Sequence, residues 1–497
     1  MPSAAVSAKK LLNINTFKFL IDKIITTSVF SYIKPILHLF SDIIIIFILN
    51  YNQKYYMIKK LKWIIIFLFL SFCLLVCIYL YTHRKRLVSV DESRTVYIKA
   101  KDSVIHLYRN GKPFKIKGAS GNASFELLSK IGGNTIRVYD TINLTKTLNK
   151  AHENQLAVIV DISLPKYNEK YPNYDFQNEN NKLKLKVEKL VNKHKNHPAL
   201  LFWNLGNELD YPLVFRKNNF IKTYNELIDI IHTSDPNHLV STTLIPSQSQ
   251  TLAIHYHSPN IDLIGFNVFG NTNRIQVVLD RVNVFTKHLP YFIGEYAYNG
   301  PWEQQNTSWG APIEPTSSKK AEQYAERYNT LIKNDKQSIG DLVFFWGQKQ
   351  ERTHTWFSIF DKKERTSELF YKLNELWGGQ ISNIKYPPKI NYMLIDKSGA
   401  QENLVYKPNM EKTAELNFEH EIDVAYQFVW EIYSEGWDYN QADNEKDPIK
   451  ISKDTVVVNS SYTFKVPSKT GPYRIFVSVY DAFGNFSTTN TPFYVLN

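Results

Sequence analysis

Cysteine is almost absent from this sequence of 497 residues, which contains only Cys73 and Cys77. Both lie inside one apolar run, so the chain beyond Thr82 has no disulfide and no metal site with cysteine ligands. A dense basic stripe is also missing, because the lysines and arginines behind the net charge of +12 are interleaved with acidic residues along most of the chain. This interleaving indicates a solvated, lysine-rich surface and argues against binding to nucleic acid.

Charge is missing altogether from residues 63–81, WIIIFLFLSFCLLVCIYLY, a run about as long as the ~20 residues that cross a bilayer. No A-x-A cleavage site follows this run, which favours an uncleaved signal anchor over a removed signal peptide. We therefore predict a transmembrane anchor over residues 57–86, with the remainder of the chain in the periplasm or at the cell surface. Residues 1–56 are either an over-extended start that precedes the true initiator Met57, or a second membrane segment.

A glycine-rich phosphate loop is missing after the first strand of the central region, which disfavours an open, doubly wound dinucleotide-binding sheet. The segment RNGK first indicates a hairpin. Eight strand patterns then follow, nearly all separated by helix patterns and apolar on both faces, as in a parallel sheet that is covered on both sides. Eight such units match a TIM barrel, typically ~250 residues long. We predict an α/β fold, a (β/α)8 barrel over residues 87–386 that begins with the hairpin.

After residue 386 the pattern changes to short strands that alternate apolar and polar residues and are separated by Asn, Asp, Gly and Pro. This pattern is typical of an immunoglobulin-like β-sandwich, which we predict over residues 387–497. Its carboxylates are scattered, and no segment pairs two acids at strand ends. We therefore expect an accessory domain whose removal lowers stability or polymer binding but spares the turnover of small substrates.

In a TIM barrel the active site lies at the C-terminal ends of the strands. The residues at the predicted strand ends are therefore the candidates for chemistry: Arg137, Asn207, Glu208, Asn267, Glu295 and Trp346. Two glutamates among them follow the fourth and the seventh strand. Glycoside hydrolysis requires such a pair, since one carboxyl protonates the leaving oxygen while the other attacks the anomeric carbon or activates water.

The motif WNLGNE, followed downstream by FIGEYA, resembles the TIM barrel domain of glycoside hydrolase family 2 and its wider clan A. The resemblance implies a retaining mechanism with Glu208 as the acid/base and Glu295 as the nucleophile. It further implies that Asn207 holds the 2-hydroxyl of the sugar, that Arg137 orients the nucleophile, and that Trp346 floors the sugar subsite. No cofactor is implied.

The resemblance covers roughly residues 104–380. Family 2 members carry β-sandwich domains ahead of the barrel, whereas here only a short segment separates the apolar run from the first barrel strand. The resemblance therefore does not identify the sugar or the linkage.

Two further features concern binding. The turn-rich segment 300–315 contains Trp302 and Trp309, which either stack on sugar faces or pin the loop. His255 and His257 have the spacing of two residues on one face of a strand, but no third ligand is evident and no metal site is expected.

These observations predict a membrane-anchored, retaining β-glycosidase that hydrolyses an extracytoplasmic glycan. A transglycosylase on the same fold and a non-catalytic glycan-binding envelope protein are the alternatives. We expect desolvation to raise the pKa of Glu208. We also expect that Arg137 keeps Glu295 ionised. The next candidates, should either glutamate prove dispensable, are Glu303, Glu314 and Glu351.

Overall fold

The computed structural model of the protein describes residues 55–82, 91–101, 104–167, 174–271, 273–286, 289–333, 335, 337–420, 426–435, 448–457 and 460–497. The predicted N-terminal extension therefore lies outside the described residues, apart from its last two positions. The chain divides into two compact units, Met1–Leu87 with Val277–Leu289 and Val88–Gln276 with Pro290–Asn497.

Helix α1 (Tyr55–Thr82), in the first unit, covers the uncharged run. Among the helices of the described residues, none combines the length and the hydropathy that a membrane crossing requires. The transmembrane anchor predicted over residues 57–86 thus finds no support in the structure and stays a prediction.

The second unit begins with a small antiparallel sheet of three strands, β1 (Val96–Lys101), β2 (Val104–Arg109) and β3 (Lys112–Phe114). Asn110 and Gly111 connect β2 to β3, and both have a positive φ, of 51° and 72°. Two successive positive φ angles are the geometry of a tight hairpin turn, which the segment RNGK predicted.

Eight parallel strands form a closed barrel, and most of their residues are buried. In chain order the strands are β4 (Ile116–Gly121), β5 (Thr135–Val138), β6 (Ala157–Ile162), β7 (Leu200–Asn207), β8 (Leu239–Leu244), β9 (Leu263–Val268), β10 (Tyr291–Tyr296) and β11 (Ser338–Trp346). The barrel closes where β11 pairs with β4 in parallel, for example at Gly340 and Ile116. Apolar residues on both faces of each strand favour this arrangement, and the predicted TIM barrel is confirmed.

Helices follow the barrel strands: α2 (Phe125–Lys130), α3 (Leu144–Glu153), α4 (Gln177–His194), α5 (Asn219–Ser234), α6 (Gln248–His257), α7 (Asn273–Val282), α8 (Ser317–Arg327) and α9 (Glu368–Trp377). Helix α6 fills the connection after β8, for which the sequence had predicted no defined element. It has little amphipathic pattern, which explains why periodicity did not reveal it. Ser247 caps it by accepting a hydrogen bond from the Gln250 amide.

The C-terminal part contains two sheets that share one hydrophobic core; all their strand pairs are antiparallel except that of β13 with β19. Strands β12 (Ile390–Ile395), β14 (Glu411–Phe418) and β17 (Ser461–Lys465) form the smaller sheet. The larger sheet contains β13 (Val405–Tyr406), β15 (Gln427–Ser434), β16 (Lys450–Val457), β18 (Gly471–Tyr480) and β19 (Phe486–Val495). Trp430, Ile475 and Phe493 lie in the core between the sheets, as expected for a β-sandwich.

Two details of this domain differ from the prediction. Strand β12 was not predicted, although Ile390, Met393 and Ile395 contribute to the core. The residues TVVVNSSYTFKV, 455–466, have the sequence pattern of one strand, but in the structure they are divided between β16 and β17, which belong to different sheets. Both errors arise because a strand is stabilised by its neighbours in the sheet, which are distant in sequence.

Candidate active site

Four of the predicted strand-end side chains lie around the buried guanidinium of a fifth, Arg137 at the end of β5. Arg137 is 0% exposed. Its Nη1 donates to Glu295 Oε1 at 3.1 Å, and its Nη2 donates to Asn207 Oδ1 at 2.7 Å. Its Nη1 also lies 3.4 Å from Asn267 Oδ1, and Asn267 in turn contacts Glu208. The structure thus brings together both glutamates and three of the predicted binding residues.

Asp161, near the end of β6, compensates the charge of Arg137. The Nε of Arg137 donates to Asp161 Oδ1 at 3.0 Å, and Nη2 donates to Oδ2 at 2.7 Å. Such a two-pronged pair fixes the plane of a guanidinium. Because an unpaired buried charge costs several kcal/mol, this pair allows Arg137 to be both charged and fully buried.

Glu295, near the end of β10, is 5% exposed and receives two hydrogen bonds on the same oxygen. Arg137 donates to Oε1, and the Tyr139 hydroxyl donates to Oε1 at 2.8 Å. Burial raises the pKa of Glu295 to about 8, with Arg137 and Tyr139 opposing the shift and the Glu208 carboxylate adding to it. This differs from the expectation that Arg137 keeps Glu295 ionised, because desolvation outweighs one ion pair at so buried a position.

Glu208 follows β7 in an unusual backbone conformation. Gly206 has a φ of 81° and Glu208 a φ of 48°, and the register between β7 and β8 shifts at this point. A positive φ is uncommon for a residue other than glycine and often marks a functional position. The Glu208 amide donates to the Thr243 carbonyl at 2.9 Å, and its Oε1 accepts from Asn267 Nδ2 at 2.9 Å.

Asn207 is held by three donors on its side-chain oxygen. Arg137 Nη2, the Thr243 hydroxyl and Asn267 Nδ2 lie at 2.7, 2.7 and 3.0 Å from Oδ1. Because one end of the amide is so engaged, its orientation is fixed and its nitrogen lies on the opposite side. This is the group that can donate to a sugar hydroxyl.

The two glutamates interact electrostatically. The Glu208 carboxylate is one of the groups that raise the pKa of Glu295, whereas Arg137 and Tyr139 lower it.

Three residues of this cluster were not predicted from the sequence: Tyr139, Asp161 and Thr243. Tyr139 lies two positions after Arg137, and alternation along a strand places both on one side. Asp161 is a charged residue inside the apolar strand pattern LAVIVDISL, which was a signal for a buried ion pair. Thr243 carries no such signal, because threonine is common in strands.

Trp346 is not brought to the site, contrary to its expected role as the floor of a sugar subsite. It is 0% exposed, its indole nitrogen donates to the Ser124 carbonyl at 3.1 Å, and its ring packs on Phe360 and Phe370. Since α9 carries Phe370, Trp346 faces the surrounding helices. The residue before it, Phe345, stacks on Tyr139 with a centroid distance of 6.3 Å.

An aromatic wall, formed by Phe269, Trp302, Phe344 and Phe357, lies beside the cluster. Phe344 packs edge-on against Tyr139 at 6.4 Å and against Phe357 at 5.2 Å. Phe269 contacts Trp302 at 5.3 Å, Phe344 at 5.6 Å and Phe357 at 5.1 Å. Trp302 is 59% exposed, so its indole surface is accessible, and its role in binding stays a prediction.

The other residues singled out in the neighbouring loops have structural contacts. Trp309 packs against Tyr494 of the C-terminal domain at 5.8 Å, which corresponds to the pinning alternative. Glu303 accepts hydrogen bonds from the Gly270 and Gly300 amides, at 2.6 and 2.9 Å, and so joins its own loop to the one that follows β9.

Glu314 is buried in a polar cluster, and Glu351 Oε2 lies 3.3 Å from Lys349 Nζ. His255 and His257 lie on helix α6 and not on a strand, so their spacing does not place them on one face. The described residues contain no group of three or more His, Cys, Asp or Glu side chains arranged to hold a metal ion.

One family profile and several solved structures are similar to parts of this chain. Residues 125–307 match the family profile "Glycosyl hydrolases family 2, TIM barrel domain". A search of curated proteins finds no match. Similar solved structures include a Bacteroides uniformis beta-glucuronidase (14% identity, TM-score 0.45, 80% of this chain and 48% of that chain). They also include a GH2 beta-galacturonidase from Eisenbergiella tayi bound to galacturonate (14% identity, TM-score 0.46, 59% of this chain and 55% of that chain). The endo-beta-1,4-mannanase from Thermotoga petrophila is a third (12% identity, TM-score 0.39, 78% of this chain and 99% of that chain).

The chain thus spans about half the length of the beta-glucuronidase that it resembles, 48%. The matched segment contains the ends of β5, β7, β9 and β10, and therefore Arg137, Glu208, Asn267 and Glu295. Residues 125–307, which contain strands β5 to β10 of the barrel, are therefore similar to the TIM barrel domain of glycosyl hydrolases family 2.

Proposed function

We propose that this protein is a retaining β-glycosidase in which Glu295 is the nucleophile and Glu208 the acid/base. The observation that carries the proposal is the asymmetry of the two carboxyl groups. Glu295 is buried and accepts from Arg137 and Tyr139, whereas Glu208 is half-buried and accepts from the neutral amide of Asn267. A nucleophile needs fixed positive partners, and an acid/base needs access to a leaving group and to water.

In the first step Glu208 donates its proton to the glycosidic oxygen while Glu295 attacks the anomeric carbon. The glycosidic bond breaks, and an ester forms between the sugar and Glu295. Arg137 and Tyr139 hold the attacking carboxylate in one orientation, which lowers the entropic part of the barrier. The Asn207 amide would donate to the 2-hydroxyl, where hydrogen bonds strengthen in the transition state.

In the second step the deprotonated Glu208 removes a proton from water, which attacks the same carbon and releases Glu295. Two inversions give net retention of the anomeric configuration. Asn267 contributes to both steps, because its Nδ2 donates to Glu208 Oε1 and its Oδ1 lies near Arg137. Asn267 therefore connects Glu208, the acid/base, to Arg137, which binds the nucleophile. This connection fixes the positions of the two carboxyl groups relative to each other.

Azide rescue tests the two roles separately. Glu295→Ala should lose turnover, and azide should restore it by attack from the vacated face, yielding a glycosyl azide of inverted configuration. Glu208→Ala should still react with substrates that have good leaving groups, accumulate the glycosyl-enzyme, and give a glycosyl azide with net retention. The substrates are aryl β-glycosides found in a screen of the full-length chain, and NMR identifies the anomer. Full activity of either variant on a natural oligosaccharide would refute the assignment.

Transglycosylation is a second candidate, and the exposed indole of Trp302 in the aromatic wall favours it. An acceptor sugar stacked on this surface would compete with water for the glycosyl-enzyme. Product analysis with an oligosaccharide decides between the two: chain-lengthened products indicate transfer, and free reducing ends alone indicate hydrolysis.

For the location we propose a membrane-anchored enzyme whose catalytic part lies outside the cytoplasm, with an oligo- or polysaccharide as substrate. The uncharged run 63–81 supports this proposal. Fractionation of cells, followed by protease treatment of intact spheroplasts, tests it. Recovery of the full-length chain in the soluble cytoplasmic fraction would contradict it.

A further inference from the structure

The aromatic wall depends on two loops that follow neighbouring barrel strands. The loop 297–316 follows β10 and carries Trp302, and the loop 347–366 follows β11 and carries Phe357. Phe357 contacts Trp302 at 6.3 Å and stacks on Tyr298 at 5.7 Å. The surface offered to a substrate is therefore set by how these loops sit against each other.

Glu314 joins the two loops in a buried polar cluster. Its Oε2 accepts from the Thr353 hydroxyl at 2.6 Å, and its Oε1 accepts from the Thr355 hydroxyl at 2.8 Å. Lys320 on α8 donates to the same carboxylate and to the Thr355 carbonyl. Burial by itself would raise the pKa of Glu314, but the Lys320 ammonium and the hydroxyl donors outweigh it and lower this pKa. Glu314 is therefore a fixed anion.

The C-terminal domain supplies the next donor to this anion. Asn490 on β19 donates its Nδ2 to Glu314 Oε2 at 2.7 Å, and its Oδ1 accepts from Arg474 Nη1 at 2.7 Å. Arg474, on β18 and 1% exposed, also donates through Nη2 to the Pro312 carbonyl at 2.8 Å. Two strands of the larger sheet thus bind the same catalytic-face loop through a buried, charge-assisted chain of hydrogen bonds.

We propose that the C-terminal domain positions the aromatic wall through Glu314 and Asn490, and so determines the affinity for substrates that extend onto Trp302. The kinetic part of this inference rests on the proposed glycosidase function, and the structural part does not. Neither residue touches the reacting atoms, so both are positioning residues. The inference specifies how the expected accessory domain would act on substrate binding, because its removal would take one donor from the Glu314 carboxylate and the Arg474 donor from the Pro312 carbonyl.

The test is the variant Asn490→Ala in the full-length chain, with Asn417→Ala as its matched control. Asn417 lies on β14 of the smaller sheet and accepts from Asn391 at an exposed position. A buried hydrogen bond to a charged group contributes enough that its loss changes a local equilibrium by about 10-fold or more. We expect amide hydrogen exchange in peptides covering 300–316 and 347–366 to accelerate by about that factor in Asn490→Ala and to stay unchanged in Asn417→Ala.

Kinetics then separate positioning from general damage. KM for an oligosaccharide should rise by about 10-fold in Asn490→Ala, while kcat for a small aryl glycoside should stay within about two-fold of the parent. Unchanged exchange in the two loops, or an equal loss of kcat on both substrates, would overturn the inference. If Asn490→Ala does not fold, the same measurements are made on Arg474→Lys. This variant keeps the positive charge but cannot donate to Asn490 and Pro312 through two separate nitrogens. Retained activity of Glu295→Ala would refute the catalytic assignment without altering the exchange result.

Discussion

Tyr139 and Glu295 are joined by a 2.8 Å hydrogen bond although they follow the second and the seventh strand of the barrel. Arg137, two positions before Tyr139, donates to the same carboxylate oxygen and lies 4.9 Å from the Tyr139 ring centroid. One strand therefore supplies both donors to the proposed nucleophile. This arrangement makes Tyr139 the residue whose removal changes the nucleophile least invasively.

Tyr139→Phe should shift the acidic limb of the pH–rate profile toward higher pH. The hydrogen bond from Tyr139 lowers the pKa of Glu295, so its loss raises that pKa and narrows the range in which the nucleophile is ionised. We expect kcat/KM near neutral pH to fall about 10- to 100-fold, as for the loss of a hydrogen bond to a charged group. The pH dependence of kcat/KM measures this effect. A lower rate with an unmoved limb would show that Tyr139 acts on the substrate.

Glu295→Gln should be more stable than the parent protein at pH 8. The folded-state pKa of about 8 lies above the ordinary 4.5, so the folded protein binds the proton more tightly than the unfolded chain. The stabilisation from this proton is complete below pH 4.5 and disappears as the pH rises through 8. The amide does not titrate, so the difference in melting temperature should grow over this window and correspond to a few kcal/mol. A constant difference between pH 5 and pH 8 would contradict the assigned shift.

Asp341→Asn provides a stability control without a catalytic effect. Asp341 lies near the start of β11, its Oδ1 has no hydrogen-bond partner among the described residues, and burial raises its pKa to about 7. As for Glu295, the pKa of the Asp341 carboxyl is higher in the folded protein than in the unfolded chain. The free energy of unfolding should therefore decrease as the pH rises from 3.8 to 7. Asp341→Asn should thus raise the melting temperature at pH 8 and leave kcat/KM within about two-fold. Thermal unfolding and aryl glycoside assays measure the two effects, and a large loss of activity would place Asp341 in the mechanism.

Trp302→Ala and Trp346→Phe should affect different quantities. Loss of the exposed Trp302 ring should raise KM for oligosaccharides by about 2- to 10-fold, given the ~0.5–1.5 kcal/mol that aromatic contacts add beyond burial. Trp346→Phe should leave KM unchanged and lower stability, because it removes buried volume and the donor to the Ser124 carbonyl. Comparison of KM and melting temperature for both variants checks this. A rise in KM for Trp346→Phe alone would restore its predicted role in the subsite.

The sequence alone was enough to predict the barrel and its two glutamates. Parallel strands that are buried on both faces must be apolar along their length, so a polar residue at a strand end stands out against its neighbours. WNLGNE and FIGEYA are cases of this pattern, and the position of a strand end along the chain fixes the face of the barrel on which it lies. The same contrast identified Arg137, Asn207 and Asn267.

The tertiary structure decided which side chains act on which. The pKa of Glu295 depends on the depth of its burial and on Arg137, Tyr139 and Glu208, which come from other strands. The side on which Trp346 lies depends on the register at the end of β11, where a register shift with β4 between Phe344 and Trp346 changes the alternation of faces. The contact between Glu314 and Asn490 joins segments that are 176 positions apart. Such long-range contacts leave no local pattern, because no periodicity relates the residues that make them.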